Sequence, residues 1–123
     1  MSLLTGVVVG HGTVAAAMID AVERIAGRAE ALVAVSNTDC DRGTLERRIT
    51  EAVGDGPAIV FIDMPSGSCL FAAMRRLQEM PGVRLVTGVN LAMLLEFVFH
   101  RDGPVDEVAA HVADAGARAV GTR

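Results

Sequence analysis

The chain has 123 residues, the length of a single domain, and its balance of 51% hydrophobic and 21% charged residues excludes a disordered chain. Its net charge is −4 with no basic stripe, which argues against nucleic acid and anionic membrane surfaces as partners. No apolar run is long enough to span a bilayer, the N-terminus lacks the basic segment of a signal peptide, and Cys40 and Cys69 are not in a metal-ligand spacing. We therefore expect a cytoplasmic protein with free thiols and no direct membrane insertion.

Strands and helices are predicted to alternate along the chain. Apolar β-branched runs indicate buried strands, and apolar residues at helical spacing indicate helices that end near glycine or proline. These patterns predict, in chain order, strand 3–10, helix 12–26, strand 31–36, helix 44–53, strand 58–62, helix 68–80, strand 84–89, helix 91–100, helix 104–115 and a candidate short strand at 117–120. Without an internal repeat or linker, this order indicates one α/β domain over residues 1–123. We expect a doubly wound, mainly parallel four-stranded sheet with helices on both faces.

A histidine between two glycines follows the first predicted strand, and Asp63 ends the third. Open parallel sheets bind ligands beyond the carboxyl ends of their strands, so His11 and Asp63 would meet if these strands are neighbours, as in the order 2-1-3-4. A carboxylate accepting from Nδ1–H would leave Nε2 of His11 as a nucleophile, and Gly10 and Gly12 would leave space for a bulky reactant. A structural histidine and a carboxylate that only caps a loop are the alternatives.

The segment after Asp63 has the character of an anion-binding site. Ser68 is expected to cap the third helix, and a helix N-terminus offers free N–H groups and a positive dipole end that suit a phosphate. Ser66 and Ser68 add hydroxyl donors, although Ser68 could serve as a cap alone. Together with the paired His11 and Asp63, this segment predicts phosphoryl transfer through a phosphohistidine, with the phosphate held by Gly12, Ser66, Gly67 and Ser68.

Four other residues have candidate roles that the sequence leaves open. Asn90 either orients a loop at the same sheet edge or caps the helix that begins at residue 91. Structural roles are expected for His100 and His111, which lie on predicted helices. Cys69 is expected to be a buried or half-buried thiol, and its place near a helix N-terminus could lower its pKa.

Three segments resemble the mannose-type enzyme IIA component of the bacterial phosphoenolpyruvate-dependent sugar phosphotransferase system. They are Val-Val-Val-Gly-His-Gly at 7–12, Phe-Ile-Asp-Met-Pro-Ser-Gly-Ser at 61–68, and Gly-Val-Asn-Leu-Ala-Met-Leu-Leu-Glu at 88–96. The resemblance covers nearly the whole chain, and the third segment is its most specific part. It implies that His11 is the phosphorylated residue, that Asp63 is its partner, and that Gly67-Ser68 match the end of a Gly-Gly-Ser motif.

The resemblance also implies a phosphocarrier that needs no metal or cofactor. Such a protein would accept a phosphoryl group from the phosphohistidine of the carrier protein HPr and pass it to a IIB partner. It would be a homodimer, and residues 117–120 would form a strand exchanged across the interface. The sequence does not choose between a role in sugar uptake and a role in its regulation.

Some residues depart from the family pattern, and two other functions were weighed. Gly10 stands where the family usually has Ser or Thr, Pro65 stiffens the loop after Asp63, and Cys69 and Ala92 stand where Pro is common.

A small metal-ion chelatase that acts on a tetrapyrrole, with His11 as metal ligand, also begins with an apolar strand and Gly-His-Gly. A chelatase would require further His or Glu ligands at the ends of strands, and the chain has none at the ends of the second and fourth predicted strands. A nucleotide-binding module is the weakest alternative because the third glycine of the dinucleotide fingerprint and the lysine of a P-loop are missing.

Overall fold

The fold is a parallel sheet between two layers of helices. A computed structural model of the chain describes residues 3–123. The strands are β1 (Thr5–Gly10), β2 (Leu32–Ser36), β3 (Ala58–Ile62) and β4 (Val83–Thr87), all parallel in the order β2-β1-β3-β4. The helices are α1 (Val14–Ala26), α2 (Arg42–Val53), α3 (Ser68–Leu77), α4 (Leu91–Phe99) and α5 (Val105–Arg118). The predicted fold class and strand order are confirmed.

Two apolar layers hold the helices against the sheet. Successive side chains of β1 point to opposite faces, so Val8 packs in the layer with α1, α4 and α5, whereas Val7 and Val9 pack in the layer with α2 and α3. All five residues of β3 are buried, as expected for a central parallel strand covered on both faces. Among residues 3–123, no helix has the length and apolar character to cross a bilayer.

Several element boundaries differ from the predictions by one to three residues, and the cap of α3 differs as well. Helix α3 ends at Leu77 rather than near 80, and Pro81 disfavours helical backbone at Met80, where the predicted helix would have ended. Strand β4 ends at Thr87, and Gly88 follows with φ of +72°. Ser68 is the first helical residue rather than the cap, because Gly67, with φ of +96°, takes the N-cap position without a side-chain hydrogen bond.

The predicted strand at 117–120 is wrong for the single chain. Helix α5 continues through Arg118, and the N–H groups of Ala119 and Val120 still donate to carbonyls of the last helical turn. Alanine favours helix, and Arg118 donates from Nε to Asp114 Oδ2 at 2.8 Å, one turn earlier. These local preferences extend the helix over the first half of the predicted strand.

Asn90 fixes the start of α4 and ties it to α5. Its Oδ1 accepts from the N–H of Met93 at 3.0 Å, and its Nδ2 donates to the carbonyl of Gly116 at 3.1 Å. Of the two roles considered for Asn90, the N-cap is confirmed.

Candidate functional site

The structure brings His11 and Asp63 together at the carboxyl edge of the sheet. Strands β1 and β3 are neighbours, and the N–H of Asp63 donates to the carbonyl of Val9 at 3.2 Å, one step beyond the paired strand residues. Oδ2 of Asp63 then accepts two hydrogen bonds from His11, one from its backbone N–H at 2.9 Å and one from Nδ1 at 2.8 Å. The strand order alone therefore produces the proximity that the sequence predicts.

This pairing decides which ring nitrogen of His11 carries the proton. A carboxylate can only accept, so the 2.8 Å contact places the proton on Nδ1 and leaves the lone pair on Nε2. The His11 side chain is 42% exposed, whereas that of Asp63 is 13% exposed. The imidazole is therefore accessible to a reactant while the carboxylate that orients it is largely shielded from water.

The second oxygen of Asp63 is buried without a hydrogen-bond partner among the described residues. A buried carboxylate oxygen without hydrogen-bond donors is poorly solvated, so a positive charge nearby stabilises the ionised carboxylate more strongly. The closest group able to carry that charge is the imidazole ring of His11. The geometry thus suits a reaction in which the ring becomes cationic.

The end of β2 holds the loop that carries His11. Oγ of Ser36 donates to the carbonyl of Gly12 at 2.7 Å, and the N–H of Gly12 donates to Oδ1 of Asn37 at 3.3 Å. Gly12 has φ of +59°, a conformation that glycine adopts at little cost. The sequence analysis did not predict this role of Ser36 and Asn37. The feature that could have indicated it is their position at the end of β2, which pairs with β1.

The N-terminus of α3 lies beside the accessible edge of the His11 ring. A Cβ added at Gly67 would lie 3.9 Å from both Nε2 and Cε1 of His11. The first backbone hydrogen bond of the helix is donated by the N–H of Phe71 to the carbonyl of Gly67, at 3.0 Å. The N–H groups that precede Phe71 in the helix therefore have no intrahelical acceptor. Ser66 and Ser68 are exposed. These donors belong to the segment that adjoins the ring at Gly67.

Cys69 lies beneath the histidine and is not activated by its position at the helix N-terminus. The thiol is buried, and its Sγ is 3.9 Å from Nδ1 of His11. Burial and the charge of Asp63 raise the pKa of Cys69 to about 11, which corrects the expectation of a lowered pKa. The thiol therefore stays protonated at neutral pH.

His11, Asp63 and Cys69 place one potential ligand atom each within 4.8 Å of one another. Metal binding by this set would require the Cys69 thiol to lose its proton, and the raised pKa of that thiol opposes the loss at neutral pH. The chemistry of the set therefore disfavours the metal site that the chelatase alternative requires.

The space that a hydroxyl side chain would occupy at position 10 is filled by α1. A Cβ added at Gly10 would lie 2.5 Å from Cγ1 of Val14 and 3.4 Å from Oδ2 of Asp63. Gly10 and Val14 are therefore complementary in size, which accounts physically for the glycine at this position.

Substitution Gly10→Ser is expected to lower the free energy of unfolding by about 1–3 kcal/mol because the new side chain overlaps Val14. Val14→Ala removes the overlapping methyl groups, so the double variant Gly10→Ser/Val14→Ala should lose less stability than the sum of the two single changes. Urea unfolding of the four proteins measures this coupling. Strict additivity would show that the two side chains do not compete for the same space.

Comparison with known proteins places the chain in one family. The family model described as "PTS system fructose IIA component" matches residues 5–114. Comparison with curated protein sequences found no significant match.

Solved structures with the same architecture span almost the whole chain. The mannose/sorbose-specific IIA subunit of the phosphotransferase system from Enterococcus faecalis is 28% identical, with a TM-score of 0.85 over 99% of this chain and 96% of that one. Phosphotransferase system component EIIA from Streptococcus agalactiae is 21% identical, with a TM-score of 0.90 over 98% and 97% of the two chains. The IIA protein associated with the fucose utilization operon of Streptococcus pneumoniae is 16% identical, with a TM-score of 0.72 over 99% and 96%, and this likeness concerns the fold.

The family model covers the strand ends that carry His11 and Asp63, and it leaves out only the first four residues and the end of the chain after residue 114. Membership implies a phosphotransferase in general terms and a phosphocarrier role in sugar transport. The resemblance seen in the three sequence segments is thereby confirmed. The chain belongs to the mannose/fructose-type IIA family of the sugar phosphotransferase system.

Proposed function

We propose that His11 carries a phosphoryl group from phospho-HPr to a IIB partner, in sugar uptake or in its regulation. The observation that supports this most strongly is the double hydrogen bond from His11 to a single carboxylate oxygen of Asp63. One bond fixes the position of the backbone and the other fixes the tautomer. Nε2 is thereby presented as the nucleophile.

The transfer step follows from this arrangement. The lone pair of Nε2 attacks the phosphorus of the donor's phosphohistidine, the phosphorus–nitrogen bond to HPr breaks, and a new one forms to His11. The proton on Nδ1 stays in place, so the ring becomes cationic and the charge of Asp63 stabilises it. Transfer to IIB is the same step in reverse with a different acceptor, and positioning supplies most of the acceleration.

The phosphoryl oxygens would be held by the N-terminus of α3. Gly67 lies beside Nε2 of the ring with Ser66 and Ser68 on either side of it in the chain, and the free N–H groups and dipole of α3 favour an anion there. Gly12 would contribute by exchanging the weak 3.3 Å bond from its N–H to Asn37 for a phosphoryl oxygen. Gly10 contributes no hydroxyl, so in this protein the donors come from the α3 side.

The surface around the site suits a protein partner. Met64, directly after Asp63, is 47% exposed, and Phe71 on α3 is 54% exposed. The guanidinium of Arg42 lies 4.5 Å from the centre of the Phe71 ring. An exposed aromatic residue with a neighbouring arginine is typical of the centre of a protein interface, and we assign HPr and IIB to this shared surface in turn.

We further propose that the protein is a cytoplasmic homodimer. A groove of about 470 Å³ between α4 and the end of α5 exposes apolar side chains, including Phe99, which is 56% exposed. Pairing of two copies across this groove would cover that surface. Sedimentation velocity distinguishes the dimer from a monomer.

Phosphorylation from phosphoenolpyruvate tests the proposed function directly. The protein is incubated with phosphoenolpyruvate, enzyme I and HPr, and intact mass spectrometry is expected to show one added phosphoryl group per chain. The group should be lost in acid and kept in base, as a phosphoramidate is. Omission of HPr is the control, and a wild-type protein that gains no mass with all components present would refute the proposal.

A further inference from the structure

A second cluster of ionisable side chains lies where α4 ends and faces α5. Glu96 lies on α4, His100 directly follows the last residue of that helix, and His111 of α5 lies opposite them. The three side chains each place one ligand atom within 4.8 Å of the others. All three are solvent-accessible, with exposed fractions of 37%, 57% and 44% in chain order.

The distances match those that a tetrahedral metal ion imposes on its ligands. Oε2 of Glu96 is 3.1 Å from Nδ1 of His100 and 3.3 Å from Nε2 of His111. Metal–ligand bonds of about 2.0–2.1 Å at tetrahedral angles separate neighbouring ligand atoms by about 3.3 Å. Two of the three pairs of ligand atoms therefore already have the separation of two corners of such a tetrahedron, and all three atoms lie within 4.8 Å of one another.

The surroundings favour a cation and leave room for a fourth ligand. A cleft of about 240 Å³ adjoins the cluster, and both histidines line it together with Asp102 and Glu107. Within residues 3–123, no arginine lines this cleft. The nearby Arg118 is already paired with Asp114 at 2.8 Å. Two further carboxylates beside a His₂Glu set are well placed to orient a metal-bound water.

We propose that Glu96, His100 and His111 form a binding site for a zinc-class divalent transition-metal ion. Nδ1 of His100 donates to the carbonyl of Glu96 at 3.0 Å in the metal-free chain. On binding, each neutral imidazole keeps its single proton but carries it on its other ring nitrogen after exchange with solvent. Imidazole and carboxylate donors suit Zn²⁺, with water as the fourth ligand.

The site is separate from the phosphorylation site. Helix α4 begins at Leu91, beyond the carboxyl end of β4, and its nine residues carry the chain about 14 Å back along the sheet. The loop after α4 reaches the start of β1, where the N–H of Leu4 donates to the carbonyl of Arg101 at 2.9 Å. The metal would thus clamp α4 to α5 at the edge of the sheet opposite His11.

Zinc titration by calorimetry tests the site on the intact chain. One Zn²⁺ per chain is expected to bind, and the melting temperature should rise by about 10 °C when free zinc is about 100 times the dissociation constant. His100→Gln/His111→Gln should weaken binding by at least about 100-fold, and Glu96→Gln by at least about 10-fold. The matched controls Glu51→Gln, at an exposed position of α2 on the other face of the sheet, and His11→Gln, in the other cluster, should both keep one equivalent.

Cobalt substitution separates this site from the cysteine-containing cluster at His11. Co²⁺ bound by two imidazoles and a carboxylate should give visible bands of tetrahedral cobalt without the near-ultraviolet charge transfer of a thiolate ligand. Equal zinc affinity in the wild type and the double histidine variant would overturn the proposal. A thiolate charge-transfer band would do so as well, because it would place the metal at Cys69.

Discussion

Replacement of His11 by glutamine is expected to reduce phosphoryl incorporation from phosphoenolpyruvate, enzyme I and HPr to background. The amide of glutamine offers no lone pair that can form a stable bond to phosphorus, so the covalent carrier is lost. The variant should remain folded, because His11 is partly exposed and the change removes one hydrogen bond to a carboxylate, worth about 1.5–3 kcal/mol. Intact mass measures the incorporation, and circular dichroism verifies the fold.

The chain supplies its own matched controls for this experiment. It contains three histidines, and the same substitution at His100 or His111 should leave one phosphoryl group per chain. His100 directly follows α4 and His111 lies on α5, so both belong to the cluster away from the sheet edge that carries His11. Incorporation that survived in His11→Gln but disappeared in one of the other two variants would move the phosphorylated residue elsewhere.

The sheet and the pairing of His11 with Asp63 could be predicted because both depend on local patterns. Strand 58–62 is an uninterrupted apolar run bounded by Pro57 and Asp63, and its predicted bounds agree with β3. Once strands one and three are neighbours, a parallel register leaves little choice about which side chains meet beyond their ends. The chemistry at the edge of the sheet then follows from the residue types.

Features that depend on packing in three dimensions could not be predicted. The pKa of Cys69 illustrates this, since its place at a helix N-terminus suggests a lowered value, but burial and the neighbouring Asp63 dominate and raise it. The fit of Val14 against Gly10 needs the path of the chain between β1 and α1. Neither effect can be inferred from the spacing of residues in the sequence.

The ends of some elements, and contacts between residues separated by a loop, could also not be predicted from the sequence. Residues 117–120 contain both alanine, which favours helix, and valine, which favours strand, and in the structure α5 continues to Arg118. The spacing of Glu96 and His100 is visible in the sequence as one helical turn. That His111 joins them depends on the angle at which α5 returns after the loop.

Asp63→Asn is expected to slow phosphorylation of His11 by about 10²-fold while leaving the ring in its productive tautomer. The backbone N–H of His11 donates to the same oxygen as Nδ1, at 2.9 Å, so the asparagine must place its carbonyl oxygen there and its amide at the buried position of Oδ1. The variant therefore keeps both hydrogen bonds and removes only the negative charge that stabilises the cationic ring. Rapid-quench measurement of the phosphorylation rate reports this loss.

Comparison with Asp63→Ala separates charge from orientation. Alanine removes the charge and both hydrogen bonds, so its rate should fall about 10-fold further than that of the asparagine variant, by loss of orientation. The buried amide of Asp63→Asn has no acceptor, which should cost about 1–3 kcal/mol of stability, so both variants are assayed well below their melting temperatures. Asp55→Asn, the same change at an exposed turn, is the matched control and should transfer at the wild-type rate. Equal rates for the wild type and both Asp63 variants would show that the carboxylate neither orients nor stabilises the histidine, whatever its distance from the ring.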